Sequence, residues 1–282
     1  MGAKEIVPGR LIPSATERYA PHGMNEVSLV YPSAHRAVIT IERARTLNSL
    51  DLATLAALRE AAGEVANRRE LKVVVVRGRG RAFSSGVDLS LLGAGDETDP
   101  RVVAAAGLAM IEAFDSIPSV TVAALRGAVV GGGLVLAAGC DLRVASDDTY
   151  FSIPELDLGL PVGWGGVPRM VREIGPALTR ELIMTCRPFT AREARQSGFL
   201  NRVVPPADLD RTVDEMVATL CGKPGEALRA VKRSVADASE EMLAARGRVG
   251  DAEMLAATAA SPESRQAAAA YIAGRRRSRT SE

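Results

Sequence analysis

Two runs of small and β-branched residues constrain the fold of this chain most. Val73-Val74-Val75-Val76 and Val120-Thr121-Val122-Ala123-Ala124 are strand-length and almost wholly apolar, with no polar residue at alternate positions. Such runs fit strands covered on both faces, the setting of a parallel sheet sandwiched by helices. Helical patterns lie between and around them. Leu52, Leu55, Leu58, Ala62 and Val65 share one helical face, with Ser49 or Asp51 as the cap, and Val102 to Phe114 reads as a second helix. Val27, Leu29 and Tyr31, then Ala37 to Ile41, read as strands, as do Leu142 to Ala145 and Tyr150 to Ser152. Beyond Pro161 the chain reads as helices only: Val167 to Ile174, Ala177 to Cys186, Ala191 to Ser197, Leu209 to Leu220, Gly225 to Ala238, Glu240 to Ala259 and Pro262 to Ala273. An α/β core with a helical C-terminal region follows. We place an extension at 1–26, the core at 27–204 and the helical region at 205–282.

Composition excludes several functions. The 282 residues carry 35 Lys+Arg and 34 Asp+Glu, so no net field draws the protein to nucleic acid or an anionic membrane. Aromatic residues make up 4%, too few for base-stacking platforms. The two histidines, His22 and His35, leave little material for a histidine-based metal site or a Ser-His-Asp triad. Three separated cysteines, Cys140, Cys186 and Cys221, imply a reduced, cytoplasmic protein. The first residues lack the apolar core of a signal peptide, and the apolar run between Arg126 and Asp141 is too short to span a bilayer. The basic end, Arg275 to Arg279, reads as a solvated tail. Abundant Arg and Ala suggest a bacterial genome rich in G and C.

Three segments look unlike packing material. Arg81-Ala82-Phe83-Ser84-Ser85-Gly86-Val87-Asp88 follows the first valine run, and Gly127-Ala128-Val129-Val130-Gly131-Gly132-Gly133 follows the second. The third is Phe151-Ser152-Ile153-Pro154-Glu155-Leu156, continuing to Gly163-Trp164-Gly165-Gly166. The glycine triplet precedes an apolar helix. It fits either tight helix–strand packing or a backbone that a ligand approaches, with free N–H groups to stabilise an oxyanion. Ser84 and Ser85 lack a companion base and read as serines bonded to the backbone. Gly78-Arg79-Gly80-Arg81-Ala82-Phe83 begins like a dinucleotide-binding turn, but Phe83 occupies the third glycine's place. Glu155 reads as a solvated loop residue or a helix cap. Buried beside Trp164, it would instead have a raised pKa and could transfer protons.

In combination, AFSSGVDL, RGAVVGGGLVLAAGCDLRVAS and FSIPELDLGLPVGWGG resemble the crotonase, or enoyl-CoA hydratase/isomerase, superfamily. The segment Arg43 to Leu50 is similar to that family's early RP-x-x-x-N-A-L element. The resemblance runs from about Val27 to the C-terminus. It implies a spiral of ββα units with a helical trimerisation region, assembly as a homotrimer or hexamer, and an acyl-CoA thioester substrate of fatty acid metabolism, with no cofactor or metal. It assigns the oxyanion hole to the N–H groups of Val87 and Gly132, and acid/base chemistry to Glu155. CoA binding falls to Arg45, Leu47, Ser85 and Lys232. Val135 and Trp164 would line the acyl pocket, with packing in the trimer as the equal alternative for Trp164. Hydratases of the family use a second glutamate, at the position held here by Val135. The aspartate of its dienoyl isomerases falls on Gly163. The resemblance therefore points to double-bond isomerisation with Glu155 as sole acid/base. The alternatives are a non-catalytic acyl-CoA carrier, and a hydratase using Glu155 with ordered water or with Asp88 or Asp157 in the second carboxylate's place.

Overall fold

The computed structural model describes residues 22–24, 26–92, 99–243 and 251–279. Its strands are β1 (His22–Met24), β2 (Val27–Ser33), β3 (Arg36–Ile41), β4 (Val73–Gly78), β5 (Val120–Leu125), β6 (Ala128–Val130), β7 (Leu142–Ser146), β8 (Tyr150–Ser152), β9 (Phe189–Thr190) and β10 (Arg202–Val204). Its α-helices are α1 (Leu52–Ala66), α2 (Pro100–Asp115), α3 (Gly132–Ala138), α4 (Gly166–Thr185), α5 (Ala191–Gln196), α6 (Leu209–Cys221), α7 (Gly225–Leu243), α8 (Asp251–Ala259) and α9 (Pro262–Arg279).

The valine runs are buried on both sides because each side has its own core. Along β4, Val74 and Val76 join the large cluster with Leu55, Leu58 and Val65 of α1. Val73 and Val75 join a second cluster with Leu209, Val213 and Val217 of α6. Strand periodicity of two sends alternate side chains to opposite faces, so neither face can be polar. β5 repeats the pattern, with Ala123 and Leu125 on one side and Val120, Val122 and Ala124 on the other.

Seven strands form the main sheet in the order β1-β2-β3-β4-β5-β7-β10, and β6-β8-β9 form a smaller one. β3, β4, β5, β7 and β10 run parallel. Successive strands alternate between the sheets, β5 to β6 and β7 to β8, and this winds the chain into the expected spiral of ββα turns.

Four features depart from the sequence reading. Residues 22–24 of the supposed extension pair with β2, in the register His22 to Leu29. The boundary at 204/205 separates no domains: β10 pairs with β7, and the next helix, α6, closes the second core. Val167 to Ile174 and Ala177 to Cys186 merge into α4, which is broken at Gly175 (φ 76°, ψ 164°) before Pro176. The long helix expected over Glu240 to Ala259 falls partly on 244–250, outside the described residues, and its ends belong to α7 and α8. Among the described residues no helix is long and apolar enough to cross a membrane.

Candidate active site

Strand register brings the three unusual segments to one place. Ser84 bridges Val129 in parallel, and Val130 of β6 lies opposite Ser152 of β8. The Val130 N–H donates to Ser84 O at 3.0 Å, and the Gly131 N–H to Ser152 O at 2.9 Å. Three parallel chains thus end side by side. Gly86-Val87, Gly131-Gly132 and Glu155 emerge from their carboxyl ends, where open α/β sheets bind ligands.

Each turn is built for close approach. Gly86 has φ 85°, and a Cβ there would lie 2.7 Å from Val130 O and 3.5 Å from Gly132 N. No L-residue with a side chain fits that conformation and space. Leu50 bonds Gly86 O through its N–H and accepts from the Asp88 N–H, at 2.8 and 3.0 Å. In a parallel bridge this turns the N–H of the intervening Val87 to the opposite side. Gly132 opens α3, so its N–H has no acceptor within the helix. Val87 and Gly132 both line one cavity of about 930 Å³.

Glu155 lies on the same cavity. Pro154 and the short 3-10 turn Leu156–Leu158 fix its backbone, and Glu155 O accepts the N–H groups of Leu158 and Leu160 at 3.1 and 2.9 Å. Its Oε2 is buried with no hydrogen-bond partner, although the residue as a whole keeps some exposure. A Cβ on Gly131 would lie 2.7 Å from Oε1. Burial pushes the carboxyl pKa up to about 7, against a smaller downward pull from its own backbone N–H. This carboxyl can both give and take a proton near neutrality.

The wall around it is apolar. Val135 is 2% exposed, and a Cβ on Gly166 would stand 2.8 Å from its Cγ2. Trp164 lines the cavity and packs within its own chain. A Cβ on Gly132 would come within 2.3 Å of its Cζ3, and one on Gly107 of α2 within 1.8 Å of its Cε2. Asp88 also lines the cavity, but both its oxygens are occupied. Oδ2 accepts from Ser49 Oγ at 2.9 Å and faces Arg43 at 3.4 Å, while Oδ1 accepts from the Ser90 N–H and Oγ at 3.1 and 3.0 Å. Burial raises its pKa, but these partners together bring it below the usual carboxylate value. Asp157 is exposed and does not line the cavity.

The residues expected at a CoA site divide. Leu47 and Ser85 line the cavity, whereas Arg45 is exposed beside it and is not part of the lining. Ser85 Oγ donates to Thr46 O at 3.1 Å and Ser84 Oγ to Asn48 O at 2.8 Å, so both hydroxyls serve the backbone. Lys232 does not reach the cavity. Its Nζ lies 2.7 Å from Asp141 Oδ2 and donates to Ser119 O at 3.0 Å, tying α7 to the far end of the sheet. Sequence reasoning missed the wall supplied by Leu255 and Ala259 of α8 and by Ser264, Arg265, Tyr271 and Ile272 of α9. The helix itself reads from the sequence as Pro262 to Ala273, but its place against the cavity does not; the Ser261 Oγ accepts the Ser264 N–H at 3.1 Å at its start.

Comparison with known proteins identifies the family. The family model for enoyl-CoA hydratase/isomerase matches residues 33–279. The short-chain-enoyl-CoA hydratase of Clostridium acetobutylicum is 31% identical over 200 residues, covering 71% of this chain and 77% of that protein. An enoyl-CoA hydratase structure from Bacillus anthracis superposes with a TM-score of 0.72 at 28% identity, covering 78% of this chain and 88% of the other. An enoyl-CoA hydratase structure from Mycobacterium avium subsp. paratuberculosis reaches 0.78 at 23% identity, covering 88% and 99%, and adds support for the fold.

Proposed function

Because this chain belongs to the enoyl-CoA hydratase/isomerase family, we propose that it shifts the double bond of an enoyl-CoA thioester, with Glu155 as its sole acid/base. The observation that carries this reading is the isolation of Glu155. Its Oε2 is buried without a partner and its pKa is near 7, on a cavity whose other carboxylate among the described residues is bound to Arg43 and three hydrogen-bond donors. In this reading the thioester oxygen accepts the N–H groups of Val87 and Gly132. The Glu155 carboxylate removes a proton from C2 of a 3-enoyl thioester, and the C–H electrons pass into a dienolate whose oxygen the two N–H groups stabilise. The protonated Glu155, free to exchange with solvent, then delivers a proton to C4 as the double bond forms between C2 and C3. One carboxyl serves both half-steps, and no water is consumed. Leu47, Ser85 and the neighbouring Arg45 are assigned to the CoA portion. Lys232 is left out of the site. Assembly as a trimer is part of the proposal, supported by Val231 and Val235 of α7, which are 63% and 61% exposed one turn apart.

A second reading, hydration by Glu155 with an ordered water, is favoured by the hydratase names of the relatives. Among the described residues it lacks a second free proton-transfer group, because Val135 occupies the packed wall facing Gly166 and Asp88 is tethered. Mass spectrometry separates the readings. The protein is incubated with 2-enoyl- and 3-enoyl-CoA esters in heavy water. Bond migration with deuterium uptake but no added water is expected, and it should be lost in Glu155→Gln. A gain of water that depends on Glu155 would establish the hydratase instead, and unaltered esters with retained binding would establish a carrier.

A further inference from the structure

Ser84 is fully buried and does not line the cavity, yet its side chain lies between the turns that carry the Val87 and Gly132 N–H groups. Its hydroxyl has one orientation. The Asn48 carbonyl, 2.8 Å away, can only accept, and the Gly86 N–H, 3.1 Å away, can only donate. The hydroxyl therefore donates to the first and accepts from the second. Among the described residues the Gly86 N–H has no other acceptor. The Asn48 carbonyl is held in turn. Asn48 is buried in a left-handed conformation at φ 58°, and its Nδ2 donates to Arg79 O and Ala82 O at 2.9 and 2.8 Å.

Gly86 is the residue that needs this support, because a glycine backbone rotates with little steric restraint. Its two flanking peptide planes are pinned separately. Ser84 Oγ holds the N–H on one side, and the Leu50 N–H holds Gly86 O on the other at 2.8 Å. The second plane also contains the Val87 N–H, which in a trans peptide points away from Gly86 O. On its other flank Ser84 meets α3. A Cβ on Gly133 would lie 2.7 Å from Ser84 Cβ and 2.8 Å from its Oγ, so the residue after Gly132 rests directly on this side chain. Ser84 O also accepts the Val130 N–H at 3.0 Å, which fixes the strand leading into the glycine triplet. One buried residue thus touches the neighbours of both N–H groups.

We infer that Ser84 is a positioning residue: through Gly86 and Gly133 it sets the separation and aim of the Val87 and Gly132 N–H groups. This rests on the thioester reading above, in which those groups hold the thioester oxygen. Donors stabilise a developing oxyanion most when they are aimed before the reaction begins. Without the hydroxyl the Gly86 N–H is buried with no acceptor, and the glycine turns to satisfy it.

Infrared difference spectroscopy of butyryl-CoA, isotope-labelled at the thioester carbonyl, tests this without turnover. Hydrogen bonds from both N–H groups lower the carbonyl stretching frequency, so binding to the wild type is expected to shift it down. Ser84→Ala should lose about half or more of that shift, with ester affinity within about threefold of wild type. Turnover of 3-enoyl esters should fall about tenfold to a hundredfold, less than the loss of a whole donor. Ser84→Cys, whose thiol accepts weakly, should move the frequency in the same direction and carries the test if the alanine variant does not fold. The control is Ser119→Ala. Ser119 is also buried, and its Oγ donates to Leu71 O at 3.0 Å away from the cavity, so its loss should cost stability but leave the shift intact. A full shift in Ser84→Ala would overturn the proposal and leave the thioester reading standing. So would an equal loss of shift in Ser119→Ala, since general loosening would then explain both. If the wild type does not bind the ester, or binds it with no shift, the thioester reading itself fails and this proposal falls with it.

Discussion

Glu155 and Asp88 line the same cavity, and their surroundings send them in opposite directions. Asp88 accepts from two hydroxyls and a backbone N–H and faces Arg43, so it stays ionised and fixed. Glu155 has a buried oxygen with no partner, and its pKa rises to about 7. A carboxylate becomes reactive here by being denied partners, and structural by being given them. The sharpest test of this contrast is Glu155→Gln. It keeps shape and removes the proton-transfer group, so turnover should fall about a thousandfold with thioester affinity nearly unchanged. An equal loss in Asp88→Asn would break the comparison.

Gly131 sharpens it next, because it sets the space around Oε1. A methyl group there would sit 2.7 Å from that oxygen, on a backbone at φ 51°. Gly131→Ala should displace the carboxyl and cost about a hundredfold in turnover, since misplacement by an ångström is expensive in a preorganised site. The matching control is Gly63→Ala on α1, where a Cβ meets nothing within 4 Å; turnover should not change.

The sequence exposes one member of this pair far better than the other. The valine runs, the glycine turns and Pro154-Glu155 are local signals, so the sheet and the meeting of three loops could be read from them. Family resemblance pointed to Glu155, but not to its missing partner, which depends on what 3-D packing leaves out. The tethering of Asp88 joins residues 43, 49 and 90 across two chain segments, and no spacing rule predicts it. Short edge strands were lost for the same reason. Phe189–Thr190 and Arg202–Val204 are two and three residues long and are held by their neighbours rather than by their own pattern. Lys232 shows the opposite case. Its position in the chain matched an expectation, but Asp141 and Ser119 hold it away from the cavity.

Stability against pH sharpens the contrast without substrate. The folded-state pKa of Glu155 lies above its usual value of 4.5, near 7. The folded protein thus keeps a proton that the unfolded chain has lost, and wild-type stability declines as pH rises through that window. Gln does not titrate. Glu155→Gln should match the wild type near pH 4 and be more stable by about 2 kcal/mol at pH 8, allowing for the part of the residue that reaches solvent. Urea denaturation at the two pH values measures the gap. A gap of the opposite sign would mean that the carboxylate is held by partners after all.

Asp88→Asn should give the reverse sign and the smallest effect. The Asp88 carboxyl pKa is depressed, so its charge stabilises the fold above the unfolded pKa, and that contribution is lost as pH falls through the folded one. Asn preserves hydrogen bonds to Ser49 and Ser90 in part but leaves Arg43 short of one charge. Arg43 also pairs with Glu26 at 2.9 Å and Asp51 at 2.8 Å, so the guanidinium is not orphaned. With about 21% of the Asp88 side chain exposed, solvent screens what remains. We expect a loss of about 1 kcal/mol at pH 7 that vanishes once pH falls below the depressed folded-state pKa, with turnover within about threefold of wild type. Because Arg43 and Asp51 also hold the start of α1 beside Leu50, whose bridge to Val87 orients that N–H, a larger loss of turnover than of stability would carry a specific meaning. It would show that the tethered carboxylate fixes the Val87 turn, and that the two acids divide the work of one site between positioning and proton transfer.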